Sequence, residues 1–218
     1  MMSERGSEGS AVTTLIVYEV LKRTLDIIVA GLGLLLLLPL MGIIALAIKL
    51  DSPGSVFFAH ERVGQHGRKF KVLKFRTMMQ DAPRRGGAIT TKHDPRITRI
   101  GRILRKTKLD ELPQLWNVLK GEMSLVGPRP EVEKYVQLWE PTLRNIVLSV
   151  PPGITGLTQI RYRHEEALLA QQPDPEKYYC EVLLPLKLAS DMEYVQRRSL
   201  AFDLYLLVRT IRALFERE

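Results

Sequence analysis

Cysteine is nearly absent from this 218-residue chain: Cys180 stands alone. That excludes a disulfide framework and any multi-cysteine metal site, and it fits a reducing compartment. The four histidines, His60, His66, His93 and His164, lack metal-ligand spacing and read as surface residues. There is no Asp-x-Asp, no G-x-x-x-x-G-K-[ST] phosphate loop and no G-x-G-x-x-G. Helix-turn-helix and zinc-finger spacings are missing as well, so no nucleic-acid partner is expected. Acidic side chains are the minority charge, 24 against 32 Lys and Arg, for a net charge of +8. A balance of that size calls for an anionic partner, either a phosphorylated ligand or a membrane surface.

What is present begins with an apolar run. Ile27 to Ile48 holds no charged side chain, and as a helix it would reach roughly 33 Å, enough to cross a hydrocarbon core. Pro39 lies at its middle, where it removes a backbone hydrogen bond and favours a kink. Cations flank both ends, Lys22 and Arg23 before and Lys49, Arg62, Arg68 and Lys69 after, so the positive-inside bias holds both ends at the cytoplasmic face. A plain transmembrane span fits the length, whereas a re-entrant helix bent at Pro39 fits the proline and the flanks together. Residues 1–13 read as a flexible tail, residues 14–50 as an amphipathic lead-in followed by the membrane helix, and residues 51–218 as one domain on the cytoplasmic face.

Between Glu61 and Lys108 the chain carries 15 Lys and Arg against three acids, a local charge of +12 that exceeds the whole chain's net. A solvated basic face accounts for much of it. Attraction to anionic headgroups, at ~1 kcal/mol per basic residue, fits the neighbouring anchor. Val56 to Val63 and Lys69 to Arg76 alternate polar and apolar residues around Gly64-Gln65-His66-Gly67, predicting a β-hairpin that carries Lys74 and Arg76. Met79 to Pro95 reads as a mobile loop. Ile97, Ile100, Ile103 and Leu104 then recur at helical spacing, and Leu112, Leu115, Trp116 and Leu119 form a second core-facing stripe.

Asp110 and Glu111 stand just ahead of Pro113, at a helix start, where free N–H groups and the dipole favour a carboxylate, with Arg105, Lys106 and Lys108 acting in the same direction. Taken alone they are ordinary capping acids. Taken with the cations, an ionised Asp is fit to be a nucleophile or a Mg²⁺ ligand in phosphoryl chemistry. Gly127-Pro128-Arg129-Pro130 presents one guanidinium between two prolines, suited to bidentate phosphate binding. Ser199 to Phe215 is apolar enough for a C-terminal interfacial helix, or equally for a core-packing one.

The pieces KRTLDI, KFKVLKFRTM, ITRIGRILRKTKLDELPQLWNVLKGEMSLVGPRP and PPGITGLTQ follow one another in an order and spacing that resemble the bacterial sugar transferases, specifically the small monotopic phosphoglycosyl transferases. The likeness runs from Lys22 to about Arg212, without the four extra helices of longer members. It implies an α+β, mainly helical fold with a re-entrant membrane helix, interfacial amphipathic helices and a small β-hairpin. It also implies transfer of a sugar-1-phosphate from a UDP-sugar to polyprenyl phosphate at the inner face of the bacterial plasma membrane, initiating glycoconjugate or exopolysaccharide assembly. By that likeness Asp110 forms a covalent phosphosugar while UMP leaves, Mg²⁺ binds at Asp110, and Glu111 handles metal or protons. Arg129, Arg105 and Arg163, with Lys74 and Arg76, would bind substrate anions, and Lys22 and Arg23 would sit near the lipid phosphate. Many members carry Ser where this chain has Leu38, ahead of Pro39. A homodimer, a non-catalytic basic module tethered to the membrane, and a glycosyl transferase releasing UDP are left open.

Overall fold

A single helix, α1, runs from Met2 to Asp51 and passes through Pro39 without a break. The computed structural model describes residues 2–82, 90 and 94–215, the side chains of 2–12 and 214–215 excepted. The flexible tail expected over residues 1–13 falls almost wholly on side chains outside that description, as does most of the loop expected over Met79 to Pro95. The neck of that loop is closed: Met79 N donates to Arg96 O at 2.9 Å, and Met78 bridges Ile97.

The hairpin forms as its alternation requires. Strands β1 (Phe57–Val63) and β2 (Lys69–Phe75) pair antiparallel, with Phe57 opposite Phe75 and Val63 opposite Lys69. Helix α2 (Arg99–Thr107) starts at Thr98, whose hydroxyl accepts from Gly101 N at 3.0 Å, and Asp51 at the end of α1 accepts from Ile100 N at 3.0 Å. Leu104 turns inward against Ile44, Ile48 and Phe75, while Ile103 faces outward, so the predicted stripe is narrower than its periodicity suggested.

Helix α3 (Gln114–Lys120) lies along α1, with Leu115 and Leu119 against Gly33 and Gly31. Trp116, expected to face the core, is 52% exposed because α1 occupies the flank next to it. The short strands β3 (Ser124–Val126) and β4 (Gly153–Thr155) pair in parallel. Five short helices follow or intervene: α4 (Glu133–Val136), α5 (Pro141–Val147), α6 (Leu157–Arg161), α7 (Glu165–Leu169) and α8 (Pro175–Tyr178). A π-helical turn, Tyr179–Leu183, leads into α9 (Leu184–Arg197), and α10 (Leu200–Phe215) follows it. The fold is thus mainly helical with small sheets. One core joins the hairpin, α3, β3, α9 and α10, and a second gathers Tyr135, Trp139, Val147, Leu169 and Leu183.

Candidate active site

Two adjacent acids occupy a tight turn and meet opposite environments. Helix α2 ends at Lys108, which adopts the left-handed conformation (φ 58°), and the 3₁₀ turn Leu109–Glu111 bridges to Pro113 and α3. Leu109 and Leu112 pack against the cluster around Phe75 and Leu104, which seats the turn. Asp110 is 6% exposed, and its Oδ1 is buried without a hydrogen-bond partner. Glu111 reaches Lys74 Nζ on β2 at 2.6 Å.

The dipole and the cations were expected to hold Asp110 low. The structure corrects this. Burial pushes the Asp110 carboxyl up, and the charges of Lys74 and Arg105 offset that only in part, because Lys74 is bonded to its neighbour. Burial would also raise Glu111, but Lys74 and Arg129 outweigh it and draw that carboxyl down to about 2.

Arg129 is presented by two interlocked glycine segments. Gly127 N donates to Thr155 O at 2.9 Å and Gly153 N to Pro128 O at 2.8 Å. A Cβ on Gly153 would stand 2.1 Å from Gly127 N, so the Val150 to Gly156 loop can back the arginine loop only with glycine there. Among the described residues the Arg129 guanidinium takes no hydrogen bond; it lies in the field of Glu111, Glu165 and Glu131, which hold it charged against the cost of burial. Arg105 pairs with Glu166 and touches Thr77 Oγ1 at 3.5 Å.

Of the predicted site residues, the structure therefore gathers Lys74, Arg105 and Arg129 around Asp110 and Glu111. The others hold elements together. Arg76 donates to Pro53 O, and to Ser52 O at 2.7 Å, tying down the chain after α1. Lys22 meets Asp203 of α10 at 2.9 Å. Arg23 caps α3 through Val118 O at 2.6 Å and Leu119 O at 2.9 Å. Arg163 donates to His164 Nε2 at 2.7 Å and approaches Ala213 O of α10.

The residues present suit a magnesium ion. No group of three His, Cys, Asp or Glu side chains able to hold a metal occurs among the described residues, but Mg²⁺ is commonly held by one or two carboxylates together with substrate phosphates and waters. The unpartnered Asp110 oxygen is a hard donor of that kind.

Residues 17–217 match the family described as bacterial sugar transferase. The chain belongs to that family. It is 39% identical to exopolysaccharide production protein ExoY of Rhizobium meliloti over 207 residues, covering 88% of this chain and 84% of that one. It is 40% identical to the UDP-glucose:undecaprenyl-phosphate glucose-1-phosphate transferase of Escherichia coli, covering 89% of this chain and 40% of that protein. A UDP-N-acetylgalactosamine-undecaprenyl-phosphate N-acetylgalactosaminephosphotransferase of Aeromonas hydrophila is 37% identical, with 91% and 44% covered. The chain thus spans less than half the length of the last two.

In this bacterial sugar transferase the sequence reading missed the buried Glu131, Tyr179 and Lys187 network behind Arg129. Glu131 accepts from Arg62 at 2.9 Å and from Val132 N at 2.8 Å, and Tyr179 donates to its other oxygen. Lys187 Nζ lies 3.0 Å from Tyr179 Oη and 2.9 Å from Glu165 Oε2. Asp191, 3% exposed, accepts from Thr158 Oγ1 at 2.6 Å. The one signal available in sequence was Glu131 directly after Gly-Pro-Arg-Pro; its side-chain partners stand 48 and more residues away.

Proposed function

We propose that the protein transfers a sugar-1-phosphate from a UDP-sugar to polyprenyl phosphate through a covalent aspartyl-phosphosugar. The observation that carries this reading is the buried, unpartnered Oδ1 of Asp110 in a site whose cations are Lys74, Arg105 and Arg129. The relatives described above, transferases named for undecaprenyl phosphate, support the same substrate class.

In the first half-reaction an Asp110 carboxylate oxygen attacks the sugar-linked phosphorus. The bond from that phosphorus to the bridging oxygen breaks, and UMP leaves with the electron pair. In the second, a phosphate oxygen of polyprenyl phosphate attacks the same phosphorus and the Asp110 carboxylate departs. Arg129 and Arg105 bind and neutralise the diphosphate, the former through a planar fork still free to pair. Lys74 keeps Glu111 ionised beside the nucleophile. Asp110, with Glu111 adjacent, would hold Mg²⁺, which when bound neutralises diphosphate charge. Exposed apolar side chains on α1, and Leu204, Val208 and Ile211 on one face of α10, support seating at the cytoplasmic membrane face, with α1 as a re-entrant anchor.

The test is nucleotide release from a panel of UDP-sugars in the presence of polyprenyl phosphate. UMP is expected. UDP would point to glycosyl transfer, and no nucleotide at all to a binding module. Asp110→Asn should lower UMP release by roughly 10³-fold or more while the protein stays in membranes. Full activity in that variant, or no acid-labile sugar-phosphate adduct on Asp110 during turnover, would overturn the nucleophile assignment.

A further inference from the structure

Three residues behind the arginine loop bear no part in the transfer steps, yet they are bonded in series. Glu131 lies two positions from Arg129 across Pro130, and its backbone carbonyl accepts from Val63 N at 2.9 Å. Its carboxylate is gripped by Arg62 and by Tyr179, and Lys187 Nζ approaches to 3.8 Å while bonding Tyr179 Oη and Glu165. Every member is buried or nearly so: Glu131 is 6% exposed, Tyr179 4% and Lys187 5%.

The backbone is built to make this meeting. Tyr179 and Lys187 are eight residues apart, about 80° out of phase on a regular α-helix. The π turn Tyr179–Leu183 takes up one extra residue, so the pair behaves as i, i+7 and falls within about 20° of one face. Without that turn, Lys187 could not cover the Tyr179 ring, where Nζ lies 4.6 Å from the centroid. π turns of this kind recur at functional sites. A carboxylate held by two cations and a phenol is more than a loop anchor needs, and its charge acts on Arg129 together with those of Glu111 and Glu165.

We propose that Tyr179 and Lys187 are positioning residues for diphosphate binding: by clamping Glu131, two positions along the chain, they fix the loop that presents Arg129 and keep its guanidinium open to the incoming ligand. This rests on the reading of Arg129 as a diphosphate ligand.

The test is UDP binding to the full chain by isothermal titration. It compares wild type, Tyr179→Phe, Glu131→Gln, Arg129→Lys and the double variant Tyr179→Phe/Arg129→Lys, with melting temperatures recorded alongside. Tyr179→Phe keeps the ring in its tilted contact with Tyr135, centroids 4.8 Å apart, and so preserves the packing. It should weaken UDP binding about tenfold, the size of one lost charge-assisted hydrogen bond, with the melting temperature within about 3 °C of wild type. Glu131→Gln should weaken binding in the same direction. In the Arg129→Lys background, which keeps the charge but not the fork, the Tyr179 change should cost less than twofold, because a residue acting through Arg129 has nothing left to position. Unchanged UDP binding in Tyr179→Phe, or an equal loss in both backgrounds, would overturn the proposal. If UDP binds as expected while UDP-sugar and polyprenyl phosphate yield no UMP, the transfer reading fails and this one stands.

Discussion

Asp191 shows how a single buried group sets the response of this protein to pH. It lies on α9 with Thr158 as its near hydrogen-bond partner, and burial, only partly offset by Thr158 and Lys187, raises its carboxyl to about 7. A carboxyl raised in the folded state favours folding when protonated; that contribution is full below about 3.8 and is lost as pH rises through about 7, on the order of 4 kcal/mol in all. The depressed Glu111 acts in the opposite sense, its contribution present above 4.5 and lost as pH falls toward about 2, so it is constant across the neutral range. Stability measured by denaturant between pH 5 and 8 should therefore decline in wild type relative to Asp191→Asn, whose amide oxygen can still accept from Thr158; parallel curves would refute the assignment. At this scale the dyad was legible because Pro113, two positions on, marks a helix start, and Arg129 because two prolines bracket it. The opposite fates of the two adjacent acids were not legible, since they turn on Lys74, a strand residue 37 positions from Glu111, choosing Glu111.

The elements are joined by side chains that stand in for backbone. Asn117 of α3, 1% exposed, accepts from Leu73 N at 3.0 Å and donates to Lys71 O at 2.8 Å, so one amide completes the free edge of β2. Asn117→Ala leaves two backbone groups unpaired and should cost about 2 kcal/mol, read as a fall of about 4–8 °C in melting temperature. Gly101 is the tighter joint. A Cβ there would stand 2.0 Å from Thr77 O, a backbone atom that cannot yield. Alanine's gain of about 1 kcal/mol in helix propensity is therefore outweighed by an overpacking cost of about 1–3 kcal/mol or more, and Gly101→Ala should lower both stability and activity by shifting α2 and the turn that carries Asp110. A more stable Gly101→Ala would contradict the contact. The hairpin was readable to within a residue at each end because alternation and a Gly-x-x-Gly turn are local signals. The three-residue strands β3 and β4 were not, because so short a pairing is fixed by the close approach of Gly127 to Gly153 and carries no period. Lys22 and Arg23, which the family likeness puts near the lipid phosphate, are each bonded to an element about 95 or more residues away, contacts that sequence order conceals.

On the scale of the molecule, the long apolar helix is attached at both ends to one body. Just before the run, Asp26, 4% exposed, accepts from Leu125 N at 3.0 Å; just after it, Asp51 accepts from Ile100 N at 3.0 Å. Between these anchors the outward face is apolar, with Leu35, Leu36 and Leu38 each more than 60% exposed, while Ala30, Ile44 and Ile48 are buried against the domain. A helix that crossed a bilayer from face to face would carry one end about 30 Å from a domain seated on the other face. Both anchoring carboxylates would then have to break their hydrogen bonds or be drawn into hydrocarbon, at several kcal/mol for each ionised group. Length and hydropathy favour a span, whereas the two anchors support the proposed re-entrant seating, because they are fixed by named bonds and an apolar face is satisfied equally by lying in one leaflet. The expected outcome is that cysteines placed at Ser10 and Ser52 in a Cys180→Ser background are labelled by an impermeant thiol reagent from the same side of sealed inverted vesicles. Asp26→Ala, which frees the upstream end, should lower membrane-bound activity more than it lowers the amount of protein retained in the membrane. Labelling of the two cysteines from opposite sides would show a true span, and the catalytic domain would then have to meet the proposed lipid acceptor without help from the anchor.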